Sequence, residues 1–353
     1  MPISQVPFAG ISNPVDFRNI VINGDMQLAQ RSTSVASITA SGYYTVDRFR
    51  TSLTTLGTWT QSQSTDVPTG QGFATSLKMD CTTADASPAA GDRLILQQII
   101  EGQNLQYLRK GTANALPLTL SFWVKSTKTG TFIIELVDDN NTRSISKSYT
   151  VNTTNTWEFK TVTFPGDTTG ALTNNNGASL YVSFWLGAGT TWTSGTLNTS
   201  WGSRVDANIA VGQVNIADST SNDFLITGVQ LEAGEQASGF EFMPIDVNLG
   251  RCFRYYQKIS GLIGTAGSTT QIYTSTPFFV EMRASPTLSV SSAMVFSDVA
   301  AADYTQSSGS ATINGALVNA RSVNAVFANF TGMTTFRPMI NIATNSLLLS
   351  AEL

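Results

Sequence analysis

Three flat aromatic side chains, Trp123, Tyr181 and Trp185, lie in two runs of alternating character, and sugar binding is the chemistry such residues support. Sugar rings have apolar faces that stack on flat aromatics, and Tyr and Trp lose little side-chain entropy when they bind. In residues 118–125, Leu118, Leu120, Phe122 and Val124 alternate with Thr119, Ser121, Trp123 and Lys125. In residues 180–186, Leu180, Val182 and Phe184 alternate with Tyr181, Ser183 and Trp185. A β-strand turns successive side chains to opposite faces, so the three aromatics fall opposite the aliphatic positions and could form a glycan platform on one sheet. The same alternation fits a face covered by the Gly/Thr/Ser/Trp segment at residues 188–215, or by another subunit. Trp192 and Trp201 stand in that segment, either as ligand contacts on a loop or as anchors that pack it down.

Other chemistry is thinly represented. Asp138-Asp139-Asn140-Asn141 offers four oxygen-bearing side chains at a strand end, and calcium takes oxygen ligands. Consecutive turn residues rarely point at one centre, so this reads as a polar turn, and neither metal nor cofactor is expected. Asp66, Asp80, Asp85, Asp92, Asp167 and Asp206 are scattered; any two could meet as a glycosidase pair, but no motif joins them. Histidine is absent altogether. That removes Ser-His-Asp and Cys-His machinery, His-ligated metals and imidazole proton transfer. The chain is therefore read as a non-enzyme, with no catalytic residue. Cys81 and Cys252 are far apart and lack metal-ligand spacing, which favours two buried free thiols.

Composition bounds the class. At 353 residues the chain is long enough for two domains. Charged residues make up 12%, about half the usual share, beside 41% apolar. Low surface charge suits β-structure in a large assembly, where subunits must not repel. The net charge of −4 leaves no electrostatic footprint for nucleic acid, and no window reaches the length of a membrane span. The first residues carry no basic segment and no long apolar run, so no secretory signal is expected. A β-rich chain without one fits a component that leaves its cell by lysis.

The elements that must position these residues are short strands. Residues 118–125 and 131–137 read as an antiparallel hairpin around the turn cluster at 125–130. Further strands are expected at 20–22, 56–63, 75–79, 94–100, 157–164, 180–186 and 224–231, with one helical turn at 104–109. Phe240 and Phe242 alternate with Glu241 and should prolong the closing strand to Pro244. Residues 1–18 carry Pro2, Pro7, Gly10 and Pro14 among Ile3, Val6, Phe8, Ile11 and Phe17, and read as an extended docking arm. Residues 246–258 form the helix candidate, with Asp246 as N-cap and Leu249, Phe253 and Tyr256 recurring at helical spacing. Three such helices around an axis would make a trimer. Residues 259–353 return to β-structure, in runs at 271–273, 277–282, 287–290, 311–313, 323–330, 336–342 and 346–352. The fold class is all-β: a jelly-roll β-sandwich over 19–245, a linking helix over 246–258 and a smaller β-sandwich over 259–353.

The ordered segments RNIVINGDMQLAQRST, VDRFR, LTLSFWVKSTKTGTF, WEFKTVTFPGDTTG, LITGVQLEAGEQASGFEF and RCFRYYQK resemble bacteriophage virion proteins of tail-fibre, head-fibre or minor structural type. The resemblance implies a particle-displayed structural protein, partnered by other virion proteins and by copies of itself, with host surface glycans as a further contact. A capsid cement or tail adaptor without ligand is the alternative, and an envelope-degrading glycosidase a third reading. The first domain is also similar in strand pattern to jelly-roll carbohydrate-binding modules. Such modules often hold a structural calcium through an acidic pair in the closing strand; here Gly228-Val229-Gln230-Leu231 lacks that pair.

Overall fold

The computed structural model describes residues 17–298, 300, 302–307 and 313–353. Ile3, Val6, Phe8 and Ile11 of the expected arm lie outside these residues; Phe17 lies within them and is exposed.

The first unit is a jelly-roll sandwich of two antiparallel sheets. One sheet runs in the order β1 (Ser34–Ile38), β4 (Thr58–Ser64), β5 (Ser76–Thr83), β13 (Asp223–Ala233), β7 (Leu118–Ser126) and β10 (Glu158–Phe164). The facing sheet runs β12 (Gly202–Ser203), β9 (Arg143–Val151), β8 (Gly130–Asp138), β11 (Ala178–Ala188), β6 (Arg93–Glu101), β3 (Arg50–Thr54) and β2 (Gly42–Tyr43). Alternation supplies the core: Leu120, Phe122 and Val124 of β7 meet Phe132, Ile134 and Leu136 of β8 and Leu180, Val182 and Phe184 of β11. Phe122 lies edge-on to Tyr149 at 5.0 Å and to Phe184 at 5.2 Å between ring centroids, a favoured aromatic geometry.

The expected hairpin is corrected here. β7 pairs with β10 and β13, whereas β8 pairs with β9 and β11, so the chain crosses between the sheets after Ser126. Two runs with apolar faces can bury those faces side by side or opposite one another, and period-2 patterning is the same for both. The structure also adds β9, whose small serines alternate with Ile145, Tyr149 and Val151. Residues 20–22 form no strand. They are buried and tied by the Ile20 amide to the Leu231 carbonyl and by the Ile22 amide to Gln98 Oε1.

A short helix α1 (Thr190–Thr193) lies in the 188–215 segment, and α2 (Ile245–Phe253) links the units. α2 follows Pro244, whose fixed φ suits a helix start, and Asp246 sits in its first turn rather than at the cap. The helix is shorter than the expected 246–258. Tyr256 belongs instead to β14 (Tyr256–Ile259), and the tyrosines beyond the helix are claimed by tertiary contacts. Arg48 lies 3.4 Å from the Tyr255 ring centroid and Arg31 lies 3.7 Å from that of Tyr256.

The second unit packs a three-stranded sheet, β14, β23 (Leu347–Ser350) and β17 (Thr287–Val290), on a seven-stranded one. The larger sheet runs β19 (Asp303–Thr305), β18 (Val295–Asp298), β22 (Pro338–Asn341), β15 (Ile263–Ala266), β16 (Ile272–Pro277), β21 (Ser322–Phe327) and β20 (Ile313–Val318). Its core gathers Ile272, Met282, Phe296, Phe327, Phe330 and Leu349. The expected run at 277–282 is a strand only at Pro277; Phe278 and Met282 pack onto this core from irregular chain.

Candidate functional site

Trp123 is half-buried on the outer face of the first sheet, next to Phe159 on the edge strand β10. Their ring centroids are 5.4 Å apart. On the other side of Trp123, β13 carries a bulge between Thr227 and Gln230, with Gly228 at φ 62°. A Cβ on Gly228 would come within 2.6 Å of the Phe73 ring, so the glycine lets that ring lie against the strand. Phe73 in turn meets Phe240 and Phe242, each at 5.1 Å between centroids. Phe240 and Phe242 are not in the prolonged strand expected of them: residues 240–244 are irregular, and their rings fold back on Phe73 instead.

These five aromatics line a cleft of about 270 Å³ together with Gln71, Ser121, Ser238 and Gly239. Phe159 is 48% exposed and Phe242 49%, so flat apolar surface faces solvent on both sides of the cleft. The loop behind it is held firmly. Gln230 donates to Glu232 at 2.9 Å and accepts from the Glu241 amide at 2.8 Å, while Ser238 donates to Glu232 at 2.7 Å. Glu241 closes the arrangement by accepting from the Asn19 amide at 2.7 Å.

An ion pair lies beside the cleft on the same face. Lys125 contacts Asp66 at 2.6 Å, and Trp157 Nε1 donates to the same carboxylate at 2.9 Å. Partial burial works to raise the Asp66 pKa, but these hydrogen bonds win and hold it below the usual carboxylate range. On the other face of the edge strand β10, in register with the core residues Phe122 and Val124, Lys160 pairs with Glu158 at 2.6 Å. Glu158 is pushed down to about 2; slight desolvation opposes the shift, and donation from Lys160, Asn152 and Thr153 outweighs it. With no charged residue in its lining and Lys125 neutralised by Asp66, the cleft suits an uncharged, hydroxyl-rich ligand.

The other expected platform residues are elsewhere, and the single-sheet platform is corrected. Tyr181 and Trp185 lie on β11 of the opposite sheet. Trp185 is fully buried, and Trp192 covers it at 5.6 Å between centroids with Ile209 and Ala210 beside it. The 188–215 segment therefore caps this face, and Trp192 is an anchor of that cap. Trp201 is half-buried against the sandwich core and donates to the Pro165 carbonyl at 2.8 Å. Alternation placed Trp123 outward correctly but carried no sign of Phe73, Phe159, Phe240 and Phe242. A dense Phe spacing in residues 240–242 was the one available signal.

Asp138 of the acidic turn is buried and serves structure. Lys110 pairs with it, and the Asn141 amide donates to it at 3.1 Å. Among the described residues no group of three metal-ligating side chains converges. Cys81 and Cys252 are both buried and free. Of the expected helix interface, Phe253 stacks on Phe279 of the second unit at 5.1 Å and Tyr256 is buried in β14, so neither is available on a free helix face. Leu249 is half-buried. No helix among the described residues is long and apolar enough to cross a membrane.

No protein family matches the chain, and no curated protein does. Among solved structures it is similar to the enzymatically active domain of bacteriophage CBA120 tailspike protein 4, at 17% identity and TM-score 0.33. That alignment covers 62% of this chain and 22% of the tailspike, so the chain spans about a fifth of the tailspike's length. A putative sugar binding protein from Bacteroides thetaiotaomicron is similar at 11% identity and TM-score 0.32, covering 61% of this chain and all of the other. A CBM4 structure is similar at 12% identity and TM-score 0.29, covering 60% and 98%. Likeness this distant bears on neither ligand nor activity.

Proposed function

We propose that the chain is a phage virion protein of tail-fibre or head-fibre type whose first sandwich holds an uncharged stretch of host surface glycan in the Trp123 cleft. The observation that carries the binding reading is the pairing of Trp123 with Phe159 across from Phe242, over a floor that includes Ser121 and Ser238. Flat rings on two sides and hydroxyl partners beneath are what a pyranose needs. The virion reading is supported by the ordered sequence segments that resemble phage structural proteins. In this reading the chain works beside other virion proteins, as a trimer displayed on the particle, and turns nothing over. A glycan array probed with the chain and with Trp123→Ala tests the binding. Binding of the chain alone supports it, and equal binding by both refutes the assignment to this cleft.

A purely structural reading, as cement or adaptor, has its own observation. The outer face of the seven-stranded sheet pairs Ile263 with Ile340 and Tyr273 with Val326, and leaves Ile263 67% and Leu317 78% exposed. The hollow over this face has no charged lining residue. Contiguous apolar surface of this kind marks protein contacts. Imaging of particles with this chain labelled separates the readings: a fibre tip favours attachment, an inter-subunit position favours cement.

A further inference from the structure

The outer face of the second sheet carries a polar strip that the Trp123 cleft does not use. Arg50 of β3 pairs in register with Gln97 of β6, Gln97 with Ser183 of β11, and Ser183 with Glu135 of β8. Adjacent strands lie about 4.8 Å apart, so the strip runs about 15 Å across four strands. Gln97 is only 6% exposed and Ser183 only 3%, and neither side chain makes a hydrogen bond among the described residues, yet the polar atoms of both keep access to solvent. Here both belong to a strip that faces away from the core.

The cations around this strip outnumber the anions. Arg204 holds Glu135 at 3.0 Å and Asp206 at 2.8 Å. Arg93 stacks over Trp192 at 4.8 Å, Arg204 reaches the same ring at 5.9 Å, and Arg93 Nε is buried without a partner among the described residues. Arg50 meets no carboxylate within ion-pair distance among the described residues. Burial lowers the Arg93 pKa, and its neighbours Arg204 and Arg50 add to the effect, so the three guanidinium groups sense one another. Concentrated positive charge in a chain of net charge −4 wants an outside anion.

We propose that this strip is a second ligand site that takes an acidic sugar residue, its carboxylate held by Arg50 with the Gln97 amide and Ser183 hydroxyl, in the field of Arg93. A guanidinium fork beside an amide donor matches the two oxygens of a carboxylate, and the sugar hydroxyls satisfy the remaining polar atoms. The site lies on the sheet opposite Trp123, so the two can be tested apart.

Titration calorimetry of the full chain with a glucuronate-containing disaccharide, its neutral glucose counterpart and inorganic phosphate is the test. The acidic disaccharide should bind, weaken with added salt and lose about tenfold in affinity in Arg50→Gln. The neutral counterpart should not bind at this strip. Trp123→Ala should leave the acidic titration unchanged, so loss of the first site and loss of this one are distinguishable. Should Arg50→Gln fold poorly, Arg50→Lys keeps the charge and removes the fork, and a fall in affinity there supports the same geometry. No heat with the acidic disaccharide, equal affinity in Arg50→Gln, or phosphate competing as strongly as glucuronate would each overturn the proposal, the last by showing an adventitious anion site only.

Discussion

Arg254 grips Glu101 through two hydrogen bonds of 2.8 Å each, tying the residue that ends α2 to the last residue of β6. Glu101 is fully buried, and Arg254 holds its carboxylate below the usual range against the upward push of burial. Nearby, fully buried Arg48 donates to the Ile99 carbonyl and pairs with Glu352 near the end of the second unit. The two sandwiches are thus clamped by charge-assisted bonds rather than strung on a loose linker.

Arg254→Ala should leave the buried Glu101 carboxylate without a cation, held only by neutral donors such as Gln103 at 2.6 Å, which costs up to about 3–5 kcal/mol. Glu101→Gln in the same chain should recover much of that, because the orphaned charge is gone. Urea unfolding of the single and double variants checks both halves, and an unchanged midpoint for Arg254→Ala would remove the clamp from the account.

Trp185 and Trp123 should part company on substitution. Trp185→Ala opens a cavity beneath Trp192 and should cost roughly 3–5 kcal/mol of folding stability. Trp123→Ala removes a half-exposed ring, so melting should barely move while glycan affinity falls by roughly 1–3 kcal/mol. Thermal melts and glycan binding on the same two proteins give four readings. A stable Trp185→Ala would contradict the capped face.

Gly228→Ala puts a methyl at a positive φ and against Phe73. The backbone strain alone costs about 1–2 kcal/mol. The displaced Phe73 ring should also disturb Phe240 and Phe242, so glycan binding should drop more than in Ser121→Ala. Near-ultraviolet circular dichroism would report the altered ring packing.

Asp47 links pH to stability in an unusual direction. Burial raises its pKa to about 6, with the Gln30 hydrogen bonds and Arg31 only partly offsetting it. The unfolded value is about 3.9, so the folded state holds the proton more tightly between the two. Asp47's contribution to stability is full below about pH 4, declines as pH rises toward 6 and is flat above. Glu158 works the other way: its stabilisation is present above the unfolded value of about 4.3 and is lost as pH falls toward 2. Denaturant midpoints across this range should decline from about pH 4 to 6 in the native chain, and Asp47→Asn should flatten that limb.

The all-β class, the outward position of Trp123, the free thiols and the absence of any imidazole chemistry were legible in the chain itself, because alternation and composition are local properties. Sheet membership was not. Residues 118–125 and 131–137 carry the same period-2 signature whether they pair side by side or face each other, and only the packing of Phe122 and Phe132 into a shared core put them in opposite sheets. The helix boundary failed for a related reason: Tyr256 keeps helical spacing with Phe253, but Arg31 and β23 draw it into a strand. Likewise Trp185 alternates outward as written, and whether outward means solvent depended on where residues 188–215 fold back. Local pattern sets which face a side chain takes; burial of that face depends on segments distant in the chain, which only the tertiary structure brings together.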